Sequence, residues 1–502
     1  MKLLSAAQIR QWDQFTMQHE PIRSLDLMER AAKACAKWIS QNTLSEHYYI
    51  FCGKGNNGGD GLAIARLLTG IGRSCKVFIA ETGAAPAEDY QANFTHLHHS
   101  KIAPIILLRT EGDFPVLPPD AIIIDALFGT GLSRPLEAMN AQLVRYLNET
   151  GNAIISIDVP SGMFSDQSSA AGAVITATHT LTFQCLKMAF LVAENEPFFG
   201  QVHILDISLH PDFLDTVESR FQLVNKSKCA SILKPRKAFS HKGSYGHALL
   251  IAGSYGKMGA AVLAAKACTR SGTGLLTCHT PKTGVNILQT TVPEAMCAID
   301  DNECTVTVLP DEFDKYSAVG IGPGIGTSDG VINLTQNLIT HGGTQPLVID
   351  ADALNILSMR KELLRGLPEK SILTPHPKEF ARLFGEGLND YQKIEAALQK
   401  ARELNVVIVL KGHHSFIATP DGQAFFNITG NPGMATGGSG DVLTGILTGL
   451  LAQGYSPVDA AIAGVFLHGL AGDLAAGVHG MEAMTAGDII DMIGKAFKAV
   501  VD

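Results

Sequence analysis

The chain has 502 residues, of which 46% are hydrophobic and 17% charged, and its net charge is −9. That composition sustains large cores, excludes long disorder and, at roughly 100–200 residues per domain, predicts two to four domains. The negative charge and the lack of any Lys/Arg run exclude nucleic-acid binding through a basic field, but a phosphate can still be held by backbone amides.

Residues 4–42 predict helices: Ser5 is a cap for the first, and SLDLMERAAKACAKWI has apolar residues at helical spacing. HYYIFCG, CKVFIAE, APIILL, AIIIDALFG, NAIISIDVP and THTLTF then predict short buried strands, separated by helices such as GDGLAIARLLTGIG and LEAMNAQLVRYLNE. This alternation predicts an α/β fold with a mostly parallel sheet and helices on both faces. Residues 208–238 are polar, hold two prolines and predict a domain boundary. The alternation restarts with HALLIAG, GLLTCHT, SAVGIGPG, PLVIDADAL, SILTPHP and VVIVLKG, so two α/β domains are expected, over residues 1–218 and 225–502.

CGKGNNGGDGLAIARLL follows a strand and opens a helix. Gly53, Gly55 and Gly58 fit GxGxxG, and Glu81 ends the next apolar run, as in a dinucleotide-binding turn. The side chains point elsewhere. An acid such as Asp60 near the helix start repels a phosphate, and Asn56 and Asn57 suit hydroxyls, an amide or a cation. A tight turn capped by Asn and Asp is the structural alternative. Two more strand tips add weight: AIIIDALFGTGLSRP carries Asp125, and AIISIDVPSGM carries Asp158, Pro160 and Ser161. Neighbouring tips of a doubly wound sheet face one crevice. Asn57, Asp125 and Ser161 offer only oxygen ligands, which suits a hard cation.

GNNGGDG, DALFGTGLSRP and SIDVPSG, in that order within about residues 1–215, resemble the NAD(P)H-hydrate epimerase domain, the YjeF N-terminal family. The resemblance implies a Rossmann-like three-layer sandwich. It implies that Asn56, Asn57, Gly58, Gly59 and Asp60, with Gly129, Thr130, Gly131, Leu132, Ser133, Arg134 and Pro135, hold a damaged nicotinamide nucleotide. It further implies K⁺ on Asn57, Asp125 and Ser161, and Asp158 at the substrate as acid–base.

TGGSGDVLTG, residues 436–445, crowds glycines before a helix that opens with Asp441. Phosphoryl transfer to a hydroxyl needs a base at the hydroxyl and donors for the moving charge. Uncovered amides of Gly437, Gly438, Ser439 and Gly440 are such donors, and Asp441 is placed to be the base. The structural alternative is a glycine-rich turn whose acid complements the helix dipole. VVIVLKGHHSFIATPDG reads as strand, turn and strand, a layout that can line an adenine nucleotide. In ILTPHPKEFARL, His376 and Glu379 follow another strand and can meet substrate and hydrated Mg²⁺. His96, His98 and His99 in THLHHSK read as a polar surface turn rather than a metal site.

SHKGSYGHALLIAGSYGKMGAA, GIGPGIG, LTPHPKEF, LKGHHS and TGGSGDVLTG, over about residues 225–502, resemble the ADP-dependent NAD(P)H-hydrate dehydratases of the ribokinase-like superfamily. By that resemblance Ala260, Gly324 and His376 lie along the hydrated nucleotide. Lys411, Gly412, His413, His414, Ser415 and Gly440 line ADP, and Asp441 stands at the reacting hydroxyl. Together the two likenesses resemble the family of bifunctional NAD(P)H-hydrate repair enzymes. They imply that one domain interconverts the R and S epimers while the other dehydrates the S epimer with ADP, giving NAD(P)H, AMP and phosphate.

Two rivals differ in class. A kinase of a small vitamin-like alcohol would use the same second-half motifs but has no need of the first domain. A catalytically inactive nucleotide-binding regulator has no need of Asp441. Nine scattered cysteines without a CxxC pair predict reduced thiols in the cytoplasm. MKLLSAAQIRQWDQF is too polar for a secretory leader. The longest apolar runs are broken short of the roughly 20 residues of a membrane span. Small-molecule substrates, no nucleic acid, no membrane and a homo-oligomeric assembly are therefore expected.

Overall fold

Strand–helix alternation in the first half builds β1 (His47–Cys52), β2 (Ser74–Ala80), β3 (Ile105–Leu108), β4 (Ile122–Ala126), β5 (Ile154–Ile157), β6 (His179–Phe183) and β7 (Gln201–Leu205). All pair in parallel, in the order β3-β2-β1-β4-β5-β6-β7. Side chains of β1 alternate between two apolar layers. Tyr48, Ile50 and Cys52 pack with Cys35, Ile39, Leu62 and Ile64, while Tyr49 and Phe51 pack with Leu143, Val144 and Leu147. Helices thus cover both faces, as the near-continuous apolar strands require. Ser5 caps Ala6–His19 in a reciprocal capping box with Gln8.

The second half adds β8 (Phe221–Val224), β9 (His247–Ile251), β10 (Leu275–Pro281), β11 (Met296–Asp300), β12 (Ala318–Ile321), β13 (Leu347–Ile349), β14 (Ile372–Leu373), β15 (Val407–Leu410), β16 (Ser415–Ala418) and β17 (Ala424–Asn427). Their order is β11-β10-β9-β12-β13-β14-β15-β16-β17-β8. Pairing is parallel except across β15–β16 and β16–β17. In each sheet the order reverses beside the first strand of its parallel series, between β1 and β4 and between β9 and β12. Those reversals open a crevice at the carboxyl ends, where ligands of such sheets bind.

The computed structural model describes residues 1–81, 83 and 85–502. It divides into one unit of Lys2–Ser219 with Asn389–Tyr391, and another of Met1, Arg220–Leu388 and Gln392–Asp502. The division at Ser219 and Arg220 falls inside the polar stretch 208–238, which also contains β8, paired with β17, and the helix Lys226–Ile232. Two sequence expectations need correction. His96, His98 and His99 lie on the helix Glu88–Ser100 rather than in a turn. The apolar run ending near residue 479 belongs to the 23-residue helix Pro457–His479, in which an 18-residue stretch has a mean hydropathy of 1.5. This helix is long and apolar enough to cross a membrane, and packing accounts for its character: Ile462, Phe466 and Leu467 are buried in the core of the second unit.

Candidate active sites

In the first crevice, β1 ends at Cys52 and the turn through Gly53 and Gly55 leads into the helix Asn56–Gly70. A Cβ on Gly58 would lie 1.8 Å from the carbonyl oxygen of Gly53, so this glycine lets the helix start against the strand tip. Asn56 is exposed, while Asn57, Gly58, Gly59 and Asp60 are buried. The Lys54 ammonium pairs with Glu81 at 2.9 Å, so the acid that a dinucleotide-binding turn would turn toward a ribose is already engaged.

Asp125, at the tip of β4, is fully buried. It accepts from Ser156 Oγ at 2.8 Å, Ser161 N at 2.8 Å, Ser161 Oγ at 2.5 Å and Leu127 N at 3.3 Å. Burial pushes its carboxyl above the usual range and these hydrogen bonds pull it back. No ion pair to Asp125 occurs among the described residues, so its charge has only neutral donors. Both polar atoms of the buried Asn57 amide lack a partner. An orphaned amide oxygen on Asn57 and a buried carboxylate without an ion pair, both at neighbouring strand tips, are donors of the kind that fit a hard cation.

Asp158 follows β5 with φ +69°, a left-handed conformation uncommon for a residue with a side chain. Its Oδ2 accepts from Thr130 N at 3.1 Å, and its Oδ1 lies 2.8 Å from the ammonium of Lys187. A Cβ on Gly129 would lie 3.1 Å from Asp158 Oδ2 and 3.3 Å from Asn57 Cγ. The structure therefore brings Asn57, Gly129, Thr130 and Asp158 around one space. Gly131, Ser133, Arg134 and Pro135 lie exposed along the continuing loop, and Leu132 packs into the apolar layer instead.

Two groups here escaped sequence reasoning. Lys187 is only 1% exposed, and nothing in QCLKMAF marks it as anything but a surface lysine. Asp13, on the helix Ala6–His19, has its carboxyl pushed up to about 7, first by burial and then by Asp158. Asp60 is likewise raised by burial and by Asp158. Asp13 and Asp60 thus each feel the charge of Asp158, which pairs with the buried Lys187.

In the second crevice the turn at 436–440 leads into the helix Ser439–Ala452. Gly438 has φ +93°, and no side chain caps the helix. A Cβ on Gly437 would meet nothing within 4 Å, and one on Gly440 would meet only Lys411 Nζ at 3.5 Å and Asp350 Oδ2 at 3.7 Å. The backbone at Gly437 and Gly440 therefore borders open space lined by charge, whereas a Cβ on Gly438 would lie 2.4 Å from Leu263 Cδ1 and Ser439 N donates to Thr436 O at 3.5 Å. Not every glycine of the motif serves that space: at Gly445 a Cβ would lie 2.2 Å from the carbonyl oxygen of Ala264, so Gly445 serves packing against the helix Met258–Arg270.

Asp441, in the first helical turn, has its carboxyl raised to about 6, mainly by burial and next by Asp350, with Lys411 opposing. Asp350, at the end of β13, pairs with Lys411 at 2.6 Å and accepts from Thr444 Oγ1 at 2.8 Å. Sequence reasoning passed over Asp350 and Asp352 in PLVIDADAL, although an acid ending a buried strand is the same signal that marked Asp125. Asp352 accepts from Gly326 N at 2.9 Å and lies 3.5 Å from Lys257 Nζ.

Along the neighbouring tips, Gly324 adopts φ +63°, and a Cβ there would come 3.1 Å from Cβ of Ala260, which joins these two expected substrate contacts. His376 caps the helix Pro377–Phe384: its Nδ1 accepts from Lys378 N at 3.1 Å and Glu379 N at 3.3 Å. With Nδ1 an acceptor, the proton of the imidazole sits on Nε2, 3.4 Å from Glu379 Oε1, and burial and then Lys411 lower the basicity of the ring. Glu379 is buried and accepts from His376 N at 2.8 Å. Lys411, Gly412, His413, His414 and Ser415 form the turn from β15 into β16, and Lys411 N donates to Pro375 O at 2.9 Å. The imidazoles of His413 and His414 meet edge to face, 4.4 Å apart.

Comparison with known proteins follows the same division. Residues 24–189 match the family described as YjeF-related protein N-terminus, and residues 248–495 match NAD(P)H-hydrate dehydratase. A bifunctional NAD(P)H-hydrate repair enzyme of Moorella thermoacetica is 36% identical across 98% of this chain and 96% of its own. That of Escherichia coli is 32% identical across 93% and 88%. The ADP/ATP-dependent NAD(P)H-hydrate dehydratase of Bacillus subtilis, crystallised with ATP and Mg²⁺, is 33% identical and covers 56% of this chain and 98% of its own, with a TM-score of 0.48. Matched along nearly its whole length, and in both halves, the chain belongs to the family of bifunctional NAD(P)H-hydrate repair enzymes.

Proposed function

We propose that residues 1–218 interconvert the R and S epimers of hydrated NADH and NADPH, and that residues 225–502 dehydrate the S epimer with ADP. The observation that carries the reading is Asp441: a carboxylate raised to about 6 at the head of an uncapped helix, beside Lys411. In the hydrated nucleotide a hydroxyl sits on the carbon beside the ring nitrogen, and hydroxide is a poor leaving group. Asp441 takes the hydroxyl proton as the oxygen attacks the terminal phosphorus of ADP, and AMP departs. The amides of residues 437–440 receive the charge on the moving phosphoryl group. Lys411, held by Asp350, neutralises the phosphates. The ring nitrogen then expels phosphate, and loss of a proton from the adjacent carbon restores the double bond.

Glu379, with His376 beside it, offers the hard oxygen that suits hydrated Mg²⁺, whose chemistry is to screen phosphate charge. Asn57, Asp125 and Ser161 would hold K⁺, which would offset the charge of Asp125 and orient substrate oxygens. The thirteen-residue set from Asn56 to Asp60, Gly129 to Pro135 and Asp158 would hold the substrate of the first unit. A cytoplasmic enzyme fits nine free cysteines, and Phe239 and Val501, exposed on the second unit, are surface that a second copy would cover.

Product analysis tests the reading. Hydrated NADH with ADP should yield NADH, AMP and phosphate in equal amounts. Transfer of phosphate to a stable product, without release of NADH, would instead favour a kinase of a small alcohol. A pH profile tests the base. Asp441 works ionised, so kcat/KM for dehydration should rise with pH through about 6 and level off above it. A rate that is flat or falling from about pH 5 to about pH 8 contradicts Asp441 as base.

A further inference from the structure

We propose that Lys187 is a positioning residue for epimerisation: it acts through Asp158, anchoring one carboxylate oxygen so that the other is aimed into the crevice. The inference rests on the epimerase reading of the first unit. The Lys187 ammonium has three acceptors, Asp158 Oδ1 at 2.8 Å, Thr182 Oγ1 at 2.5 Å and Phe183 O at 3.4 Å. Three N–H groups meet three acceptors, and the side chain is 1% exposed, so none remains for a substrate. Asp158 lies in front of it: Oδ1 is anchored by the ammonium, while Oδ2 sits at the Gly129–Thr130 loop.

The surroundings explain why a cation is needed. Asp13 on the helix Ala6–His19, Asp60 on the helix Asn56–Gly70, and the thiols of Cys35 and Cys185 all feel the charge of Asp158. Lys187 is the one cation that pairs with Asp158 among the described residues. Without it, the Asp158 carboxylate has no cation partner among the described residues, and its backbone is already held in a left-handed conformation. A core that needed only volume would be as well filled by Met, since a buried ion pair seldom adds stability over an apolar replacement. Keeping the ammonium therefore serves the carboxylate.

The test is a double-mutant cycle on epimerisation in the full chain, starting from the separated R epimer. Lys187→Met should lower kcat by about 10²-fold and change KM little, which is the size expected for an acid–base group put out of place. Asp158→Asn should lose as much or more, and the double variant should be no slower than Asp158→Asn alone. Losses that multiply, or a Lys187→Met variant with wild-type kcat, overturn the inference. Lys187→Ala leaves a gap of the missing propylammonium, so adding propylammonium should restore activity at least about tenfold, and no restoration counts against it. If Lys187→Met alone does not fold, the double variant, which removes both buried charges, still decides: slower than Asp158→Asn means that Lys187 acts by another route. A wild-type chain that leaves the R epimer unchanged removes the epimerase reading itself, whereas epimerisation untouched by Lys187→Met removes only the role of Lys187.

Discussion

Asp441→Asn should lower the dehydration rate by about 10²–10⁴-fold, the usual cost of losing a general base, while epimer exchange continues at its wild-type rate. The asymmetry follows from placement. Asp441 heads the helix Ser439–Ala452 of the second unit, and the epimerase crevice lies at the tips of β1, β4 and β5. Stability separates loss of chemistry from loss of fold. The carboxylate is disfavoured in the folded chain by burial and by Asp350, so a neutral amide there should leave the melting temperature unchanged or raise it. A single-turnover assay on the S epimer with ADP reads the effect. Less than a tenfold loss means that another group removes the proton.

Asp125→Ala should stop epimerisation and also weaken the first unit. Four donors converge on this carboxylate, and each one left buried without an acceptor costs about 1–3 kcal/mol. Asp125→Asn separates the two effects, because an amide oxygen still accepts while the charge that would hold K⁺ is gone. With Asp125→Asn, a mixture of epimers should be consumed in two phases, fast for the S epimer and then at the rate of spontaneous inversion. The wild type should show one phase and slow when K⁺ is replaced by a bulky organic cation. Consumption of both epimers by Asp125→Asn at wild-type speed would mean that neither the cation nor this carboxylate supports epimerisation.

Most interior strands were legible because each is a run of Ile, Val and Phe buried on both faces, as in β4 and β15, although the buried β17, AFFN, was passed over. Of the edge strands β3 was read in APIILL, whereas β7 and β11 are half exposed, so QVHIL and MCAID lack that run, and β8 lies in a polar stretch where only FQLV is apolar. Site residues followed the same logic. Acids ending apolar strands, such as Asp125 and Asp158, stand out in the sequence. So does a glycine cluster before a helix, because its backbone is unusual in itself.

Lys187 and Asp13 carried no such mark. A lysine in a loop and an acid on an amphipathic helix are ordinary surface residues until folding buries them beside Asp158. Asp350 differs, since its position at the end of β13 was readable, and only its pairing with Lys411, 61 residues further on, shows its use. Spacing in the chain reveals what one turn can do by itself. Partnerships between turns appear only when the sheet sets their tips side by side.

The most direct measurement is a progress curve for an equal mixture of R and S hydrated NADH with ADP, followed by nicotinamide absorbance. A chain that both exchanges epimers and dehydrates one of them should restore essentially all of the NADH in a single phase, with AMP rising in step. A curve that stops when the S epimer is spent would show that the first unit does not epimerise. Absorbance that never rises, with ADP unconsumed, would contradict the repair function altogether.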